Sequence, residues 1–128
     1  MAVRCLLVDD DHAFLRAARF LLEREGMDVV GVASSGADAC LYCEQLRPEV
    51  VLLDVELGDE SGFDVARKLT NGAADGYPGI ILISSYSADD FAELLPGSPA
   101  LGFLAKADLS GPAIRGILIA AGDYRDSR

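Results

Sequence analysis

Apolar residues along the chain fall into short unbroken runs that alternate with stripes at helical spacing. Val3 to Val8 is apolar apart from Arg4 and stops at Asp9, Asp10 and Asp11, the pattern of a strand buried on both faces. Phe14, Ala17, Ala18, Leu21 and Leu22 then recur with helical period up to Gly26, a residue suited to ending a helix. Met27 to Ala33 reads as a second strand, and Ser35 with Asp38 three residues later opens a helix that must end before Pro48. Val50 to Leu53 is a third run and closes on Asp54, after which Ser61 with Asp64 starts a helix to about Leu69. Asn71 to Gly79 is loop by composition. Ile80 to Ile83 closes on Ser84, and Ser87 with Asp90 starts a short acidic helix to about Leu95, broken by Pro96 and Pro99. Leu101 to Ala105 closes on Lys106, and Ile114, Ile117, Leu118 and Ala121 form a last helical stripe after Pro112.

Five strands alternating with five helices, with no hairpin signal between them, predict an α/β domain: an open parallel sheet covered by helices on both faces. Ligands bind such sheets at the carboxyl ends of the strands. The residues that close the runs are Asp9 and Asp10, Asp54, Ser84 and Lys106, so four strand ends carry polar chemistry together.

Composition narrows the field. At 128 residues the chain fits one domain over 1–128, its last few residues a short tail, since domains run at about 100 to 200 residues. Hydrophobic residues make up 51% and mean hydropathy is +0.25, which suits a packed core rather than a disordered chain. With 11 Lys and Arg against 21 Asp and Glu the net charge is −10, which argues against direct nucleic-acid binding. No run approaches the roughly 18 apolar residues of a membrane span, and the N-terminus lacks the order of a signal peptide, so a cytoplasmic location is expected. Cys5 lies in a core run. Cys40 and Cys43 form a Cys-x-x-Cys, but inside a helical pattern with no second pair or His, which favours packing over metal or redox work.

Carboxylates gathered at adjoining strand ends repel one another and need a cation. An all-oxygen set without His or Cys favours Mg²⁺ over zinc. A Lys ammonium and a small hydroxyl in the same pocket complement phosphoryl oxygens. Asp54, alone at the end of the middle strand, is the candidate nucleophile, with Asp9 and Asp10 as a metal-binding pair. Taken singly, each signal is weak, because an Asp closing a strand is commonly a helix cap; Asp11 is read that way, and His12 as a surface residue at a helix start.

Val8-Asp9-Asp10-Asp11, Leu53-Asp54-Val55-Glu56-Leu57 followed by Gly62, Ile83-Ser84-Ser85 and Gly102-Phe103-Leu104-Ala105-Lys106 resemble the receiver domain of two-component response regulators over almost the whole chain. The resemblance implies a doubly wound, flavodoxin-like (βα)5 fold with strand order 2-1-3-4-5. It also implies that Asp54 accepts a phosphoryl group from a sensor histidine kinase or a phosphotransfer protein. Asp9, Asp10 and Asp54, with the backbone carbonyl of Glu56, would hold Mg²⁺, and Ser84 and Lys106 would bind the phosphoryl oxygens. Phe103 falls at the family's switch aromatic, expected to turn inward with Ser84 and to remodel the face made by the fourth helix, fifth strand and fifth helix toward a downstream protein. Such a domain catalyses its own phosphoryl transfer and autodephosphorylation, and Glu56 and Tyr86 would rim the pocket. Pairing of two copies on phosphorylation is compatible with the family. The chain departs from the pattern at Ala107, where Pro is usual, and at Gly58, where Pro is frequent. The Gly102 to Leu109 stretch is closer to receivers that precede a helix-turn-helix output domain.

Three other readings compete. A haloacid-dehalogenase-type phosphatase shares Asp54-Val55-Glu56 as an approximate Asp-x-Asp, but there the acidic pair comes last and here it comes first. A receiver-shaped scaffold that never turns over phosphate predicts a lost site residue, and none is lost. A flavin carrier on the same fold would meet a pocket whose carboxylates repel its phosphate.

Overall fold

All five apolar runs become strands of one parallel sheet in a computed structural model that describes residues 2–71 and 78–122. They are β1 (Arg4–Val8), β2 (Asp28–Ala33), β3 (Val50–Asp54), β4 (Gly79–Ser84) and β5 (Gly102–Ala105), hydrogen-bonded in the order β2-β1-β3-β4-β5. Residues 72–77 of the expected loop, and residues 123–128, which include the expected short tail, lie outside the described residues. Four α-helices accompany the sheet among the described residues: α1 (His12–Arg24), α2 (Gly36–Leu46), α3 (Gly62–Thr70) and α4 (Gly111–Ala120).

Strand side chains alternate, and the two sets build two cores. Cys5, Leu7, Val50, Leu52, Ile81 and Ile83 face α1 and α4, where Leu15, Leu22, Ile114 and Leu118 meet them. Leu6, Val8, Val51, Leu53, Ile80 and Leu82 face the other way, onto Ala39, Cys43, Phe63, Val65 and Ala66 of α2 and α3. The central strands are therefore apolar at every position, and each fully buried Leu or Ile contributes about 1.5–3 kcal/mol. In α1 the buried stripe is Leu15, Ala18 and Leu22, with Phe14 half-buried; Ala17, expected on that face, is exposed. Leu15 takes the place because it buries far more apolar surface than an alanine.

Asp11, Ser35 and Ser61 cap helices as their positions predicted, and Ser110 is a further cap. Asp11 accepts hydrogen bonds from the N–H groups of Ala13 and Phe14, and Ser35, Ser61 and Ser110 cap α2, α3 and α4 in the same way. Arg4 ties the far end of the sheet, its guanidinium donating to the carbonyls of Leu46 and Arg47 at 2.6 Å each and so satisfying the end of α2.

Two expectations need correction. The helix expected from Ser87 to about Leu95 is not α-helical: the segment forms two short 3₁₀ turns, Ala88–Phe91 and Leu95–Gly97. Its start signal works, since Ser87 and Asp90 make a reciprocal capping box. Propagation fails because Asp89, Asp90 and Glu93 sit together without a basic partner in the segment, Pro96 follows at once, and only Phe91 and Leu95 are partly buried to hold the turns down. A hairpin is also present, contrary to expectation: Glu56–Leu57 pairs antiparallel with Glu60–Ser61 around Gly58 and Asp59. Gly58 takes a left-handed φ of 62°, as a two-residue turn demands. Gly62 follows, packed so closely on the chain that a Cβ there would collide with the Asp54 carbonyl.

Candidate functional site

Parallel strands all deliver their C-terminal residues to one edge of the sheet, so the four strand-end positions converge by topology. Asp9 follows β1, Asp54 ends β3, Ser84 ends β4 and Lys106 follows β5. With β1 and β3 adjacent, Val8 pairs with Leu53, which sets Asp9 and Asp54 side by side. Together with Asp10, Glu56, Tyr86 and Gly58 these residues line a cavity of about 350 Å³. Phe103, the expected switch aromatic, does not line it; its ring lies 5.9 Å from that of Phe91, which in turn lies 6.1 Å from Phe63.

Burial is the central electrostatic fact of the site. Asp9 is fully buried, Asp54 is 7% exposed and Ser84 is 2% exposed, whereas Asp10 is open to solvent. Asp9 Oδ1 accepts the Asp11 N–H at 2.9 Å and Asp54 Oδ1 accepts the Glu56 N–H at 3.2 Å. Ser84 Oγ accepts the Tyr86 N–H at 3.0 Å, leaving its own proton to donate. The Lys106 ammonium stands 2.6 Å from Asp9 Oδ2 and 3.6 Å from Asp54 Oδ2. Among the described residues Asp9 Oδ2 has the Lys106 ammonium facing it as an ion pair and no hydrogen-bond partner.

The carboxyl of Asp54 is pushed up from its ordinary 3.8 to about 7, first by burial and then by the charge of Asp9, against the opposing pull of Lys106. Burial acts to lower the Lys106 ammonium, but its close pairing with Asp9 and the charge of Asp54 outweigh it and hold it above its ordinary value. One lysine is too little positive charge for the carboxylates gathered around it.

Asp9, Asp10 and Asp54 each offer a carboxylate oxygen, all within 4.8 Å of one another. The residues fit a hard divalent cation on three counts: the donor set is all oxygen, one buried donor atom lacks a hydrogen bond, and burial beside a second carboxylate has raised the central acid. Two of the three ligand candidates are buried and the third is open, so such a cation would keep water ligands, as Mg²⁺ does.

Asp11 is a helix cap, as its position suggested, and His12 is exposed at the first position of α1. Cys43 is buried and Cys40 partly so along α2, and Cys5 is buried in β1; burial pushes the Cys5 thiol up to about 12 and that of Cys43 up to about 11. Both behave as core residues. A contact that sequence reasoning missed is that of Phe14, whose ring centroid lies 4.4 Å from Lys106 Nζ. Its one signal in the sequence was a place on the first turn of α1, beside the acidic cluster.

Comparison with known proteins agrees with this geometry. The family model for the response regulator receiver domain matches residues 5–110. The response regulator GacA of Pseudomonas aeruginosa is 33% identical over 103 residues, covering 79% of this chain and 47% of that protein. The response regulator UvrY of Escherichia coli is 32% identical over 103 residues, covering 79% and 46%. This chain therefore spans about half the length of these relatives. Among solved structures, the signal receiver domain of a modulated diguanylate cyclase from Desulfovibrio desulfuricans aligns with a TM-score of 0.76 at 27% identity, covering 94% of each chain. A CheY-like receiver from Methanospirillum hungatei aligns with a TM-score of 0.77 at 21% identity over 96% of each, a likeness of fold. With a parallel sheet in the order 2-1-3-4-5, an acidic trio and a lysine at its carboxyl edge, and a family match over most of its length, this chain belongs to the response regulator receiver domains.

Proposed function

We propose that this chain is a phosphorylation-activated switch in which Asp54 is the phosphoryl acceptor. The observation that carries the reading is the placement of a buried carboxylate at the end of the middle strand, with a lysine ammonium 3.6 Å away and two further carboxylates in reach. The donor is a phosphohistidine on a sensor histidine kinase or a phosphotransfer protein. An Asp54 carboxylate oxygen bonds to phosphorus as the phosphorus–nitrogen bond breaks, and the imidazole keeps the electron pair and takes up a proton. Lys106 and Ser84 bind the phosphoryl oxygens, where charge is spread during transfer. Asp9, Asp10, Asp54 and the Glu56 carbonyl would hold Mg²⁺, which when bound supplies the positive charge that the carboxylates lack. Water attack on phosphorus later frees the Asp54 carboxylate, and Glu56 and Tyr86 at the rim govern that access.

Output to a downstream protein runs through the face made by the 88–97 segment, β5 and α4, reached from the site through Ser84 and Phe103. The tilted ring contact between Phe103 and Phe91 supports this, because it couples a turn of Phe103 to the segment beside it. A receiver-like scaffold that never takes up phosphate is the competing reading, and it predicts no labelling at position 54.

Incubation with acetyl phosphate and Mg²⁺, followed by borohydride reduction of the acyl phosphate to an alcohol, should mark position 54 alone. A mark at another residue would move the acceptor. For Asp10→Ala, Mg²⁺ affinity measured by calorimetry should fall by at least the roughly 10- to 100-fold that follows loss of a supporting residue at a metal site. Unchanged affinity would remove Asp10 from the ligand set.

A further inference from the structure

We infer that Phe14 is a positioning residue for Lys106, its ring holding the ammonium in the pocket while leaving N–H donors free for the phosphoryl group. The inference rests on the reading of Asp54 as acceptor and adds a part to it. Among the described residues Lys106 is the one basic residue lining the cavity, and little in its own backbone fixes it. It starts a single 3₁₀ turn, Lys106–Asp108, that has no side-chain cap, and Ala107 and Asp108 are exposed. What holds the head group is around it: Asp9 at 2.6 Å, Asp54 at 3.6 Å and the face of Phe14 at 4.4 Å.

The three neighbours differ in what they ask of the cation. A carboxylate pairs with the ammonium and competes for it with an incoming phosphoryl oxygen. An aromatic ring attracts the ammonium through its quadrupole without a directional bond, so the donors stay available. Asp54 also changes identity on phosphorylation, and its hold on the lysine changes with it. Phe14 keeps the same attraction in both states.

The ring is itself anchored to the site. Asp9 accepts the Asp11 N–H, and Asp11 in turn accepts the Phe14 N–H at 3.2 Å, so the first turn of α1 is tied to the acidic cluster by consecutive bonds. Below, Phe14 packs against the core cluster that includes Leu15 and Leu22. The ring is thus placed by the same hydrogen bonds that place Asp9, and a leucine could fill the site without reproducing its electron-rich face.

The test compares wild type, Phe14→Leu and Phe14→Tyr in two measurements. In the unphosphorylated protein, NMR of the Lys106 Cε protons should show an upfield ring-current displacement that disappears in Phe14→Leu and persists in Phe14→Tyr. The rate of phosphoryl uptake from acetyl phosphate should then fall between about two- and thirtyfold in Phe14→Leu, the range that loss of one such contact spans, and return in Phe14→Tyr. Mg²⁺ affinity should stay at the wild-type value in both variants. An undisplaced lysine resonance in wild type, or a wild-type rate in Phe14→Leu, would overturn the inference. An equal loss of rate in Phe14→Tyr would do the same, because it would make the ring's role one of shape alone. Absence of uptake in wild type itself would instead strike the assignment of Asp54, and the NMR displacement, which needs no phosphate, would still show whether Phe14 holds the lysine.

Discussion

Asp54 is a carboxylate whose surroundings oppose its own charge. Burial and the neighbouring Asp9 favour its protonated form, and only Lys106 and the Glu56 N–H work against them. The consequence for stability has a definite sign. Without metal, the folded protein keeps a proton on Asp54 up to about pH 7, while the unfolded chain releases it near 3.8. At Asp54 the folded state therefore holds more protons across that window, and this group's contribution to the stability of the metal-free protein falls as pH rises from about 4 to about 7. In a chelator the melting temperature of wild type should fall relative to that of Asp54→Asn across this interval. A difference between the two that stays constant or grows in favour of wild type through the same interval would contradict the assignment of Asp54 as the strained carboxylate. The acidic cluster and the lysine were legible as residues because each closes an apolar run. Their distances were not, and neither was the seat of Lys106 on the Phe14 ring, which depends on how the first turn of α1 meets the end of β5.

Elements were legible to the extent that their causes are local. The strands follow from continuous apolar runs, and the helix starts from Ser and Asp caps, all within a few residues of sequence. The 88–97 segment misled because its cap is sound, while the want of a buried face shows only against the rest of the fold. The hairpin after β3 was marked by Gly58-Asp59, a pair suited to a two-residue turn, but its strands are two residues each and have no apolar pattern. That hairpin leads directly into Gly62, which lies against the Asp54 and Val55 backbone. Gly62→Ala should therefore destabilise the protein by about 1–3 kcal/mol in urea unfolding, as overpacking does. A neutral substitution would mean that the start of α3 can move away from the acceptor strand without cost.

At the scale of the whole molecule, a sheet apolar on both faces and covered by helices leaves one edge where polar groups gather, and there the fold collects its buried charge. Alternation of strand and helix made the parallel sheet legible; the adjacency of β1 and β3 came from family resemblance, since five parallel strands can be ordered in several ways. That adjacency turns separate acids into one site. The most direct test is intact-mass measurement after incubation with acetyl phosphate, with Mg²⁺ or with a chelator, on wild type and Asp54→Asn. The account predicts a gain of one phosphoryl group in wild type that requires Mg²⁺ and is absent from the variant. Equal gain in Asp54→Asn, or no gain in wild type with no inorganic phosphate released, would contradict it.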